Sequence, residues 1–178
     1  MSGNVFEWTQ DWYGETFYTV CADGCDFTTI QAAIFLASVA AGDVINVTDA
    51  VHTEVDITID KDVAIQGQGA ANTTVPAHAT ARRADGRVFF IVRGATVTIE
   101  GMTIRHGNLR SEPESGGGIR NEGALTLENS VIRDNSGSAG GGILNDGTLA
   151  LINCAVRDNE ARGGGDAYME CSTGGGVK

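Results

Sequence analysis

The sequence predicts an all-β solenoid, a parallel β-helix of about 24 residues per coil closed at its N-terminal end by one α-helix. Three observations carry that prediction. Residues 116–139 (GGGIRNEGALTLENSVIRDNSGSA) repeat without a gap as residues 140–163 (GGGILNDGTLALINCAVRDNEARG). Within each copy apolar residues alternate over short runs, Leu125 with Leu127 and then Leu149 with Leu151, which is the period of strands and not of helices. Glycine supplies 25 of the 178 residues, in the C-terminal third mostly as triplets at fixed places in the repeat, and it follows no Gly-X-Y period.

A 24-residue unit without a helical stretch reads as about three short strands joined by turns. Stacking such units in register, roughly 4.8 Å apart, sets equivalent residues on top of one another. Asn121 then falls on Asn145, Asn129 on Asn153 and Asn135 on Asn159, where amide side chains satisfy each other at the turns. Glycine is expected at the corners, for positive φ or for close backbone approach.

The remaining elements follow in order. Residues 1–19 form an N-terminal extension, 20–42 a cap and 43–178 the β-helix. Residues 28–41 (TTIQAAIFLASVAA) are the one good helix candidate, with Thr28 and Gln31 as a capping box and Gly42 as a stop. The open end of a β-helix is apolar and bares strand edges, so this helix is expected to cover it. Alternation places strands at 44–47, 55–59, 63–65 and 87–92. A weaker copy at 94–107 aligns Gly94 with Gly123, Ile99 with Leu127 and Arg105 with Arg133. A third copy begins at Gly164 and stops unfinished at Lys178, so self-association through an open C-terminal end, or a longer natural chain, is expected.

Composition narrows function. The longest apolar run, 32–41, is too short to span a bilayer, so no transmembrane segment is expected. Residues 1–10 lack the basic and apolar regions of a signal peptide. A net charge of -11 argues against nucleic acid as a partner. The acidity suits cations, basic partners or plain solubility instead.

The segment 20–69, with TIQAAI, GDVINV and VAIQGQG, resembles the N-terminal part of the pectate-lyase-like right-handed parallel β-helix superfamily. The coils with GGGI, LTLENS and VIRDN are similar to bacterial secreted and surface proteins related to the polymorphic outer-membrane proteins. The resemblance covers roughly residues 20–178 and implies a right-handed coil. For function it implies little, because one fold hosts lyases, glycosidases, adhesins and stalks. Residues 1–14 (MSGNVFEWTQDWYG) resemble a fragment of the formylglycine-generating, sulfatase-modifying enzyme motif, with Phe6 in place of its usual tryptophan. Asn4 and Glu7 fall in the part that belongs to a calcium site in that family. Its catalytic cysteines have no counterpart here.

Related secreted proteins carry a cysteine pair similar to Cys21 and Cys25, and a local disulfide is expected in preference to a metal site, because Cys154 and Cys171 do not form the second close pair that zinc needs. A disulfide implies an extracytoplasmic home, secreted or cell-surface. Cys154 aligns with Ser130 and Met102 at an inward position and reads as a core thiol.

Arg105, Arg133 and Arg157 stack in register, and His106, Asp134 and Asp158 run beside them. As catalytic candidates they form an outward charged stripe for an acidic sugar chain, with an arginine as base and an aspartate pair holding calcium. As structure they are Arg-Asp pairs that offset repulsion between coils. The structural reading is preferred, since only one column of aspartates is visible. No metal site and no resident cofactor is expected, and calcium is the one ion the stripe would admit. His52, His78 and His106 are isolated, without the clustered carboxylates of glycosidases on this fold. Residues 106–115 (HGNLRSEPES) make the longest excursion, so Arg110, Glu112 and Glu114 are the candidate binding loop. A flat threonine row of the ice-binding kind breaks at Ala124 and Ala150.

These features lead to a non-catalytic secreted or surface β-helix, a scaffold or a binding domain for carbohydrate or protein. The alternative is a polysaccharide lyase or glycoside hydrolase acting on acidic polysaccharide.

Overall fold

The computed structural model describes residues 17–36, 43–109, 116–161 and the two-residue strand 169–170. In chain order the elements are β1 (Phe17–Val20), α1 (Ile30–Leu36), β2 (Val44–Val47), β3 (Ile57–Ile59), β4 (Val63–Gln66), β5 (Thr74–Pro76), β6 (Phe89–Ile91), β7 (Thr96–Glu100) and β8 (Thr103–Arg105). There follow β9 (Asn108–Leu109), β10 (Ile119–Asn121), β11 (Ala124–Glu128), β12 (Val131–Arg133), β13 (Ser136–Gly137), β14 (Ile143–Asn145), β15 (Thr148–Ile152), β16 (Ala155–Arg157), β17 (Glu160–Ala161) and β18 (Met169–Glu170).

Successive coils stack their strands on shared sheets, and the result is a right-handed parallel β-helix of about 5 turns. One sheet runs β1-β2-β4-β7-β11-β15, a second β3-β6-β10-β14, and a third β5-β8-β12-β16-β18, in which only the β16–β18 pairing is antiparallel. A fourth, β9-β13-β17, was not foreseen: its strands are two residues long, as in Ser136–Gly137, and too short and polar to show alternation.

Period-two alternation turns every second residue inward, and parallel register stacks like on like. Ile45, Ile65, Ile99, Leu127 and Leu151 form one continuous column. Val75, Ile104, Ile132 and Val156 form another, and Ile57, Phe89, Ile119 and Ile143 a third. Nearly all are buried, and burial of each large side chain stabilises by about 1.5–3 kcal/mol. Cys154 is buried in the same core, its thiol donating to the Leu127 carbonyl at 3.2 Å.

The cap differs in detail from the sequence expectation. The N-cap is Thr29, not Thr28: its Oγ1 accepts from the Ala32 N–H at 3.1 Å. Gln31 does not reach back to close a capping box. Its side chain instead pairs with the β3 edge, accepting from Thr58 N–H at 2.7 Å and donating to Thr58 O at 3.2 Å. The helix thus fills the hydrogen bonds of an edge strand while burying Ile30, Ala33 and Ile34. Residues 37–42, over which the helix was expected to continue and stop, lie outside the described residues.

The corners also differ. None of the triplet glycines at 116–118 and 140–142 has positive φ; the left-handed positions are held by Asn129 (φ 48°), Asn153 (φ 52°), Asp134 (φ 55°) and Asp158 (φ 56°). Gly101 (φ 65°) and His106 (φ 63°) occupy the equivalent places one coil earlier. The triplets answer to close approach instead. A Cβ on Gly118 would lie 2.9 Å from Asn135 Nδ2 and 2.5 Å from the Gly142 carbonyl oxygen. Asn153→Gly should therefore be nearly neutral, as Gly101 shows the position accepts glycine, whereas Asn153→Val should cost about 1–2 kcal/mol for a β-branched residue at positive φ. Urea melts of the two variants check this; equal midpoints would refute it.

Candidate functional site

Two adjacent phenylalanines in one short strand cannot both face the core. In β6, Phe89 is buried and Phe90 points out. Register sets Thr58 of β3 on one side of Phe90 and Arg120 of β10 on the other, with Leu144 of β14 beyond. Asp56 and Arg87 enter from the residues preceding β3 and β6, and Glu122 follows β10. Together Asp56, Thr58, Arg87, Phe90, Arg120 and Glu122 line an open groove of about 300 Å³.

The Phe90 ring is flanked by two guanidinium groups, Arg87 Cζ at 5.4 Å and Arg120 Cζ at 6.0 Å from its centroid. Arg120 is oriented by Glu122: Nε and Nη2 both donate to Oε1, at 2.8 and 2.7 Å. Asp146 Oδ2 lies 3.7 Å from Nη2. Asp56, at φ 55°, donates its N–H to the Arg87 carbonyl oxygen at 2.8 Å, and its Oδ1 accepts from the Arg87 N–H at 3.0 Å. Gly86 makes room for that carboxylate, since a Cβ there would meet its oxygens at 2.5 and 2.7 Å. The arrangement offers a half-buried aromatic ring stacked with two guanidinium groups and edged by fixed carboxylate acceptors, chemistry that can meet the C–H edge and the hydroxyls of a sugar.

The residues singled out from sequence lie elsewhere. Arg105, Arg133 and Arg157 are in register on the β8-β12-β16 sheet. Arg133 pairs with Asp134 and Arg157 with Asp158, the latter at 2.6 Å, so these two coils neutralise their own arginines. The outward stripe does not include His106. That residue is buried, and its Nδ1 is 2.9 Å from the His78 carbonyl oxygen, to which it donates. Arg105, followed by histidine instead of aspartate, keeps its Nε buried without a hydrogen-bond partner among the described residues. Arg110, Glu112 and Glu114 of the expected binding loop lie outside the described residues, as does the motif at 1–14. Among the described residues no group of three or more His, Cys, Asp or Glu could hold a metal ion.

Cys21 and Cys25 are joined as a disulfide beside the cap. Next to it lies a cluster that sequence reading missed. His52 Nδ1 is 3.2 Å from Asp49 Oδ2, and Nε2 is 3.1 Å from Glu54 Oε2. Glu54 also accepts from the first two N–H groups of α1, Ile30 at 2.7 Å and Gln31 at 2.9 Å. Asp49 accepts from the Ala22 N–H at 2.9 Å. Its hydrogen bond to Glu54 raises the His52 pKa above 6.5; burial opposes this, and Asp49 adds to it. Every group is already matched inside the fold, so the cluster is a clasp between disulfide turn, first coils and helix.

Phe90 and its neighbours carried a faint signal: the alternation that buries Phe89 requires Phe90 to be exposed. Nothing in the spacing of Asp56, Arg87 and Arg120 announced that three coils bring them together.

No protein-family model and no curated protein matches the chain. The likeness of residues 1–14 to the formylglycine-generating motif thus gains no support. Solved structures do match. Pectin methylesterase PemA from Erwinia chrysanthemi is similar over 79% of this chain and 55% of its own length, with a TM-score of 0.54 and 18% identity. A pectin methylesterase in complex with a hexasaccharide is similar over the same shares, with a TM-score of 0.53 and 18% identity. The chain therefore has the fold of these proteins and spans just over half their length.

Proposed function

We propose that the chain is a carbohydrate-binding β-helix domain, non-catalytic, with its glycan site in the Phe90 groove. The observation that carries the reading is the outward aromatic ring between two arginines, supported on in-register strands and edged by two oriented carboxylates. Sugar rings present an apolar C–H face and a rim of hydroxyls, and such a groove meets both. The fold supports it as well, because a protein of this architecture is named as holding a hexasaccharide. The disulfide favours a secreted or surface setting. The carboxylates of the groove are engaged, Asp56 with a backbone N–H and Glu122 with a guanidinium, which suits positioning better than proton transfer.

Calorimetric titration with a panel of soluble plant and bacterial glycans tests the reading. At least one should bind, and Phe90→Ala should weaken it about tenfold or more, as expected for loss of an aromatic contact of about 1.5 kcal/mol. The melting temperature should hardly move, since the ring packs outside the core. Unaltered affinity in Phe90→Ala would refute the site; bond cleavage by the wild-type protein would refute the non-catalytic reading.

A further inference from the structure

We propose that the groove selects uncharged sugar units over polyuronate chains, an inference that rests on the glycan-binding reading above. Its lining sets two carboxylates, Asp56 and Glu122, against two guanidinium groups, Arg87 and Arg120, within a chain of net charge -11. Arg120 is the cation that stands in the row beside Phe90, and it is committed: its Nε and Nη2 point at Glu122 Oε1, and Asp146 Oδ2 lies 3.7 Å from the same Nη2.

A uronate carboxylate approaching Arg120 meets that guanidinium only by coming beside Glu122 or by displacing it. Displacement leaves two or three like charges next to one cation, and juxtaposed like charges work against binding. Hydroxyl groups face no such conflict. Each both donates and accepts, whereas a carboxylate only accepts. The oxygens of Asp56 and Glu122 retain lone pairs beyond those their partners occupy, so the groove asks for donors as much as for acceptors. Hydroxyls supply them while the C–H face lies against Phe90 and the arginine stems.

One polymer in two charge states isolates the effect. Titrations would compare a uronic-acid homopolymer with its methyl ester, which keeps the backbone and removes the charge. The ester should bind about tenfold or more tightly at low salt. Binding of the acid form should strengthen as salt rises from about 20 to about 200 mM, because repulsion is screened. The ester should be indifferent to salt. Glu122→Gln should narrow the gap between the two ligands.

An acid form that binds as well as the ester, and weakens with salt, would overturn the selectivity. If Phe90→Ala still abolished that binding, the glycan-binding reading would stand. Failure of both polymers and of every neutral glycan in the panel would overturn the two together.

Discussion

Asn135→Asp is expected to destabilise the fold by on the order of 3 kcal/mol, although it replaces one atom of a single side chain. Asn135 is buried at 2% exposure and uses its amide fully. Oδ1 accepts from the Gly107 N–H at 2.9 Å, and Nδ2 donates to Ile104 O at 3.2 Å and to Asn159 Oδ1 at 3.0 Å. The aspartate cannot donate when ionised, so a buried negative charge would face two acceptor oxygens. Protonation relieves part of this by supplying one O–H donor, and the variant should therefore recover stability relative to wild type as pH falls. Urea unfolding gives the measurement: a lower midpoint with an unchanged m-value. Asn129→Asp is the control. Asn129 also stacks on its equivalent, accepting from Asn153 Nδ2 at 3.2 Å and donating to Glu100 Oε1 at 3.2 Å, but in solvent, where water screens the new carboxylate from Glu100, and it should cost less than about 1 kcal/mol. Equal losses in the two variants would mean that burial of the amide is not what makes Asn135 costly to change.

The contrast also explains why the fold was legible. Gly118 and Asn135 belong to one coil and need each other, since only a missing Cβ lets the amide reach across to Gly107 and Ile104. The next coil repeats the pair as Gly142 and Asn159, whose Nδ2 donates to Ile132 O at 2.9 Å. Constraints that recur every coil write themselves into the sequence at a fixed spacing. The Phe90 groove has no such imprint. Thr58, Phe90 and Arg120 lie on successive coils of unequal length, so their alignment follows from three-dimensional register and not from a repeat. The arginine column was visible because it recurs. Its recurrence reflects a corner geometry that needs a residue tolerant of positive φ, met by Asp134 and Asp158, each of which then pairs with the preceding arginine. Periodicity in a solenoid reports what the scaffold requires, and a binding site has to be sought where the pattern is interrupted.

Glu54→Ala should cost about 3–4 kcal/mol, because one carboxylate serves three donors. It caps α1 through the Ile30 and Gln31 N–H groups and faces His52 Nε2. With both ring nitrogens of His52 opposite carboxylates, the imidazolium is the form that fits. Its pKa is raised in the folded state above the 6.5 of a free histidine, chiefly through Glu54. The sign follows from proton linkage. The folded protein holds the proton more tightly, so the stabilisation is fully present below about pH 6.5 and is lost as pH rises through the folded pKa. Wild-type stability should fall across that window. The fall should be absent in His52→Gln and reduced in Glu54→Gln, which keeps an acceptor for the helix while removing the charge that holds the proton. Hydrogen exchange would locate the change: amides of α1 and β3 should lose protection first, because Gln31 ties the helix to Thr58, while the Asn135 coil stays protected. A wild-type stability that rises between about pH 6.5 and 8 would contradict the linkage sign, and loss of protection starting in the C-terminal coils would contradict the clasp.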